Sequence, residues 1–150
     1  MRYAYETRVC IWLVILFSVF YTRYCSADEW LVGSGFSLHA KNPDRYNKRN
    51  LGLGYEKKID RNWSVFAGGY QNSLHRDTLY VGGSYTPYNT SVSGLKLGVG
   101  VAGMIATGYS EKYPLMPYAS LFAKAEGEKY GLNVYWIPTI VVGIQFKMKF

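Results

Sequence analysis

The chain has 150 residues, is 49% hydrophobic and 17% aromatic, and carries a formal charge of +7; at this length one folded domain is expected. Its two cysteines, Cys10 and Cys25, both lie near the N-terminus, and no long apolar run follows Asp28. Beyond that point a disulfide-stapled miniprotein is excluded, and so is a membrane protein built on spanning helices.

The first segment reads as a secretory signal peptide: Arg2 and Arg8, an apolar run from Val9 to Phe20, then small residues at Cys25-Ser26-Ala27. Cleavage is expected after Ala27, which divides the chain into a signal peptide, 1–27, and a mature domain, 28–150. An uncleaved anchor is the alternative. The apolar run is shorter than the roughly 20 residues of a spanning helix. Thr22-Arg23-Tyr24 before Cys25 does not resemble a lipoprotein cleavage motif. Removal of 1–27 takes away both cysteines and leaves a basic chain, which suits contact with anionic lipid phosphates and serves solubility equally well.

The mature part then reads as eight strands. Trp30–Ala40 sets Val32, Phe36 and Leu38 against Gly33, Gly35, Ser37 and His39. Asn50–Lys57 sets Leu51, Leu53 and Tyr55 against Gly52, Gly54 and Glu56. Ile59-Asp60-Arg61-Asn62 is a turn, because Asp and Asn bond their own backbone there. Trp63–Ser73 and Asp77–Thr86 follow; aromatic residues on both faces of Trp63–Ser73 leave its inward face open. Pro87–Ser93 reads as a turn region. Leu95–Thr107 alternates most cleanly, with Leu95, Leu97, Val99, Val101 and Ile105 on one side. Met116–Ala125 and Tyr130–Ile137 come next.

The last strand, Ile140–Phe150, has Ile140, Val142, Ile144, Phe146, Met148 and Phe150 on one face. A tilted strand of about 9–11 residues crosses a bilayer. An even set of such strands, with small or polar residues on the opposite face, predicts an all-β, eight-stranded antiparallel outer-membrane barrel of a Gram-negative bacterium. Trp30, Tyr55, Trp63, Tyr85, Trp136 and Phe150 are the expected outward aromatic girdle. A soluble sandwich or a lipocalin-like barrel, apolar inside, is the competing architecture.

With periplasmic termini, residues 41–49, 74–76, 108–115 and 138–139 face the cell exterior, and His39 and Ser73 approach each other at the outer rim. Here the residues resemble a family. His39 with Arg45-Tyr46-Asn47-Lys48-Arg49 and Gly52-Leu53-Gly54-Tyr55, then Tyr70-Gln71-Asn72-Ser73, resemble the outer-membrane lipid A palmitoyltransferases. Leu97-Gly98-Val99-Gly100, Tyr113-Pro114-Leu115, Pro117-Tyr118-Ala119-Ser120 and Trp136-Ile137-Pro138 follow in matching order. The resemblance implies transfer of a palmitoyl chain from a phospholipid to lipid A, with an acyl pocket inside the barrel. His39 is then the general base and Ser73 the nucleophile it activates.

Asn72 stands where the family has an Asp; it orients a neighbour by hydrogen bonding but brings no charge. Two further departures are the absence of an amphipathic helix before Trp30 and of a proline in the first strand. Pro117 and Pro138 remain as residues that loosen strand pairing. The expected partners are outer-membrane lipids, phospholipid and lipid A, engaged by a monomer. No cofactor, no metal site and no nucleic-acid module is expected. Ser73-x-His75-x-Asp77 is a second local constellation, and the reversal near Leu74–Arg76 is expected to scatter it. A barrel deacylase would show His-x-Ser, which neither His39 nor His75 has. The alternative function is a non-catalytic small barrel with a structural, surface-binding or minor-permeability role.

Overall fold

A computed structural model describes residues 28–41 and 43–150. The expected signal peptide, 1–27, with both cysteines, lies outside the described residues.

Alternation of apolar and small or polar side chains yields eight strands: β1 (Glu29–His39), β2 (Gly52–Lys58), β3 (Trp63–Gln71), β4 (Asp77–Val92), β5 (Leu95–Ala106), β6 (Met116–Glu126), β7 (Tyr130–Ile137) and β8 (Val141–Lys149). Each pairs antiparallel with its neighbour in sequence, and β8 pairs back onto β1 from Trp30↔Lys149 to His39↔Val141. The result is a closed, all-β, eight-stranded antiparallel barrel. Closure satisfies the backbone groups that an open sheet would leave at its two edges.

Three tight turns mark one end. At the first, Asp60 Oδ1 accepts from the amides of Asn62 and Trp63. At the second, Ser93 and Gly94 have φ of 49° and 83°, the paired positive values that suit the twist of a two-residue hairpin. The other end carries the longer connections, among them the one with a 3-10 turn at Pro43–Arg45.

Leu51, Leu53, Val81, Val99, Val101, Phe146 and Phe150 stand exposed on the outer wall. Inside, the lumen divides in two. Toward the loop end it is aromatic and apolar, with Phe66, Tyr80, Ala102 and Phe122 buried. Toward the turn end it is ionic: Lys147 bridges Glu56 at 2.9 Å and Glu126 at 2.7 Å, Asn133 donates to Glu56 at 2.7 Å, and Lys58 lies 3.5 Å from Glu126. The Lys147 ammonium sits 4.8 Å above the Trp30 ring. Two carboxylates taken out of water are tolerated there because Lys147, with Lys58 and Lys124, compensates them.

Three readings are corrected. Register shifts between Ser34 and Phe36 in β1, a bulge that inverts the alternation. Trp30 and Val32 therefore point inward, each 2% exposed, while Phe36 and Leu38 point outward; Trp30 belongs to the ionic lumen and not to an outer girdle. Second, β4 continues through Pro87 to Val92, because a bulge between Tyr85 and Tyr88 accommodates a residue that cannot donate to the ladder. Only Ser93-Gly94 turns. Third, β3 ends at Gln71, so Asn72 and Ser73 belong to the following turn. The face of β3 left open by its sequence is settled: Phe66 is buried inside, and Trp63 and Val65 are exposed.

Candidate functional site

Between the ionic plug and the loops lies a cavity of about 370 Å³, within the range of roughly 300–1,000 Å³ typical of ligand sites. Its walls are largely apolar, formed by Phe66, Tyr80, Met104, Tyr118, Tyr135 and Ile144. The ring of Phe66 meets that of Tyr135 edge-on at 6.2 Å, and Tyr135 packs on Phe122 at 5.0 Å, making a floor. Ser37, His39, Tyr46 and Ser73 bring polar atoms to its loop end.

The β1 bulge places two of these residues. After the phase change Ser37 points inward, and His39, two residues on, lines the same cavity. Gly35 within the bulge has no room for a side chain, since a Cβ would come within 2.6 Å of the Ile144 carbonyl oxygen. The His39 ring stacks on Tyr46, with centroids 4.2 Å apart and planes 15° apart, and its Nδ1 is buried without a partner among the described residues.

Ser73 arrives from the β3–β4 turn. Because β2 begins only at Gly52, the loop before it lies against that turn: the Asn47 amide donates to the Ser73 carbonyl at 2.9 Å, and Asn50 Nδ2 donates to the Gln71 carbonyl at 3.1 Å. The Ser37 and Ser73 hydroxyls come to 3.3 Å, both residues 7% exposed. Among the described residues no hydrogen bond joins His39 to Ser73; Ser37 is the Ser73 hydroxyl's partner.

Asn72 is fully buried and spends its carboxamide on the turn. Its Nδ2 donates to Thr78 Oγ1 and to the Gly108 carbonyl, each at 3.0 Å, and its Oδ1 accepts from the amides of Leu74 and Arg76 at 2.8 and 3.0 Å. None of these partners is His39. The Ser73-x-His75-x-Asp77 group is dispersed: His75 takes φ of 61°, and both His75 and Asp77 are exposed while Ser73 is buried.

Across the cavity Tyr109, from the β5–β6 connection, shares a 2.6 Å hydrogen bond with Tyr70, and burial pushes its hydroxyl pKa up. The wall thins nearby. Pairing of β6 with β7 stops at Leu121↔Trp136, and β7 ends at Ile137 before Pro138, so Met116–Ser120, paired to β5 on one side, run past β7 with no ladder partner among the described residues on the other. Among the described residues no group of three or more His, Cys, Asp or Glu side chains is placed to hold a metal ion.

Ser37, Asn47 and Asn50 are the site residues that sequence reasoning did not assign. Ser37 does share the face of His39 in the sequence pattern, so a small signal for it exists; the pairing with Ser73 has none. Neither a scan against protein-family models nor a comparison with curated protein sequences finds a match to this chain.

Proposed function

We propose that residues 28–150 form an outer-membrane barrel that transfers an acyl chain from a phospholipid to lipid A at the outer leaflet. The observation that carries this reading is the cavity: an apolar chamber with hydroxyls and an imidazole gathered at one end, the arrangement needed to bury a chain and present its ester to a nucleophile. Its volume lies within the range of a small-ligand site. That suits one acyl chain. The exposed apolar wall supports placement in lipid, since a belt of Leu, Val and Phe of this extent is costly in water. The stretch of β6 that β7 leaves unpaired on one side supports entry of a lipid tail from the side.

Ser73 is the nucleophile and His39 the base in this reading. Among the described residues no bond joins them, and catalytic hydrogen bonds often tighten only in the reacting complex. Asn72 serves by shaping the turn that presents Ser73. Incubation of outer membranes containing the protein with labelled phospholipid tests the reading: label is expected in lipid A, and unlabelled lipid A beside a working positive control overturns it.

A non-catalytic small barrel is the second reading. It is favoured by Asn72, whose four turn contacts leave nothing to polarise His39.

A further inference from the structure

Acyl transfer at Ser73 must stabilise a negative oxygen, and such a charge needs a donor set in advance at the place where it develops. Ser37 is the hydroxyl at that place. It is buried, it comes from a different strand, and its Oγ stands 3.3 Å from that of Ser73. Its other contact, to the Asn47 carbonyl, is 3.4 Å, long for an O–H donor whose usual distance is about 2.7–2.8 Å. The backbone at Ser37 is held firmly, with its amide donating to the Lys48 carbonyl at 3.0 Å. A fixed backbone thus carries a weakly engaged hydroxyl beside the attacking atom. The bulge has the same effect: bulges re-aim side chains, and this one turns Ser37 from the outer wall into the cavity.

We infer that Ser37 is a catalytic residue that donates a hydrogen bond to the oxyanion of the tetrahedral intermediate formed at Ser73; this rests on the acyl-transfer reading above. In the step, Ser73 Oγ bonds to the ester carbonyl carbon, its proton passes to His39, and the carbonyl π pair moves onto oxygen. Ser37 turns its O–H from the Asn47 carbonyl to that oxygen and transfers no proton. Collapse restores the carbonyl and breaks the bond to the glycerol oxygen, which takes the proton from His39. A lysophospholipid leaves and acyl-Ser73 remains. A hydroxyl of the acceptor repeats the sequence, and Ser37 serves both intermediates.

The test compares the full chain and its Ser37→Ala, Ser37→Cys and Ser37→Thr variants in outer membranes, with a phospholipid donor and lipid A as acceptor. Ser37→Ala is expected to lower kcat on the order of 100-fold, the usual cost of one oxyanion donor, with KM within about threefold of wild type. Ser37→Thr, which keeps the hydroxyl, is expected to restore most of the rate. Ser37→Cys preserves the side-chain volume and replaces a good donor with a weak one, so a loss of at least about tenfold there reads out the donor even if the alanine variant fails to fold. Wild-type protein without transfer activity overturns the acyl-transfer reading and the role of Ser37 together. Active wild type with Ser37→Ala or Ser37→Cys within threefold of it, or an acyl adduct found by mass spectrometry on Ser37 instead of Ser73, overturns the role of Ser37 alone.

Discussion

Lys147 Nζ lies 2.9 Å from Glu56 Oε1, from a residue 91 positions away, and its next contact is Glu126 at 2.7 Å. The ammonium is wholly enclosed and the two carboxylates are nearly so. Removing one partner of such a pair leaves a buried charge without compensation, which costs about 3–5 kcal/mol. Lys147→Met is therefore expected to destabilise the barrel by that amount, read from urea unfolding of the refolded chain. Adding Glu56→Gln and Glu126→Gln should recover much of the loss. A single variant with wild-type stability would show that water reaches these groups.

Gly35→Ala probes the bulge. The new methyl meets the Ile144 backbone oxygen at 2.6 Å, so β1 and β8 must separate locally. Overpacking of this kind costs about 1–3 kcal/mol. Under the proposed activity, transfer should fall further than stability, because Ser37 and His39 both follow the bulge. Thermal unfolding and the transfer assay on the same preparation separate the two effects.

Asn72→Asp would restore the residue type expected from the family resemblance, and it is expected to harm the protein. A carboxylate keeps the acceptor for Leu74 and Arg76 but cannot donate to Thr78 or to the Gly108 carbonyl. Buried groups left without partners cost about 1–3 kcal/mol. A lower unfolding midpoint with no gain in transfer is the expected result; a stable variant with raised activity would refute the structural role.

Phe66→Ala removes part of the cavity floor. If one acyl chain occupies the cavity, the variant accepts chains a few carbons longer than wild type, read as a shift in the mass of acylated lipid A. Unchanged selectivity would mean that the chain stops above Phe66.

Acid sensitivity follows from Asp28. Its hydrogen bond from Lys149 holds its carboxyl below the ordinary value, with burial opposing and the charges of Lys149, Lys58 and Lys96 assisting. A group lowered on folding contributes stability that is complete above its unfolded pKa of about 3.9 and lost as pH falls through the folded value. The advantage of wild type over Asp28→Asn should thus be constant near neutrality and shrink below about pH 4. Denaturant midpoints across a pH series give the comparison.

The strands were legible where one face is continuously apolar and the other small, as in β5 and β8: Leu97, Val99, Val101, Phe146 and Met148 needed no knowledge of their neighbours. β1 defeated the same logic because one inserted residue exchanges the faces on either side of it, and nothing in Ser34-Gly35-Phe36 announces a bulge. β3 was ambiguous for a different reason. The upper lumen is itself aromatic, so Phe66 and Tyr70 inside look like Trp63 outside. Pro87 misled because a bulge removes the cost that normally expels proline from a ladder. At the site, His39 and Ser73 were visible as rim residues, whereas the Ser37–Ser73 contact depends on a loop that closes over a shortened β2. The ionic cluster joins β2, β6, β7 and β8, and no local pattern couples residues so distant.

The bulge in β1 also means that position in this wall is a matter of counting. A β1 that kept all its residues but paired with β8 without the bulge would lose the phase change. The barrel would still have its eight strands, but Ser37 and His39 would turn toward the outside and Phe36 and Leu38 would crowd the chamber. The hydroxyls and the imidazole of the chamber thus depend on the one residue that the pairing of β1 with β8 leaves over, Gly35.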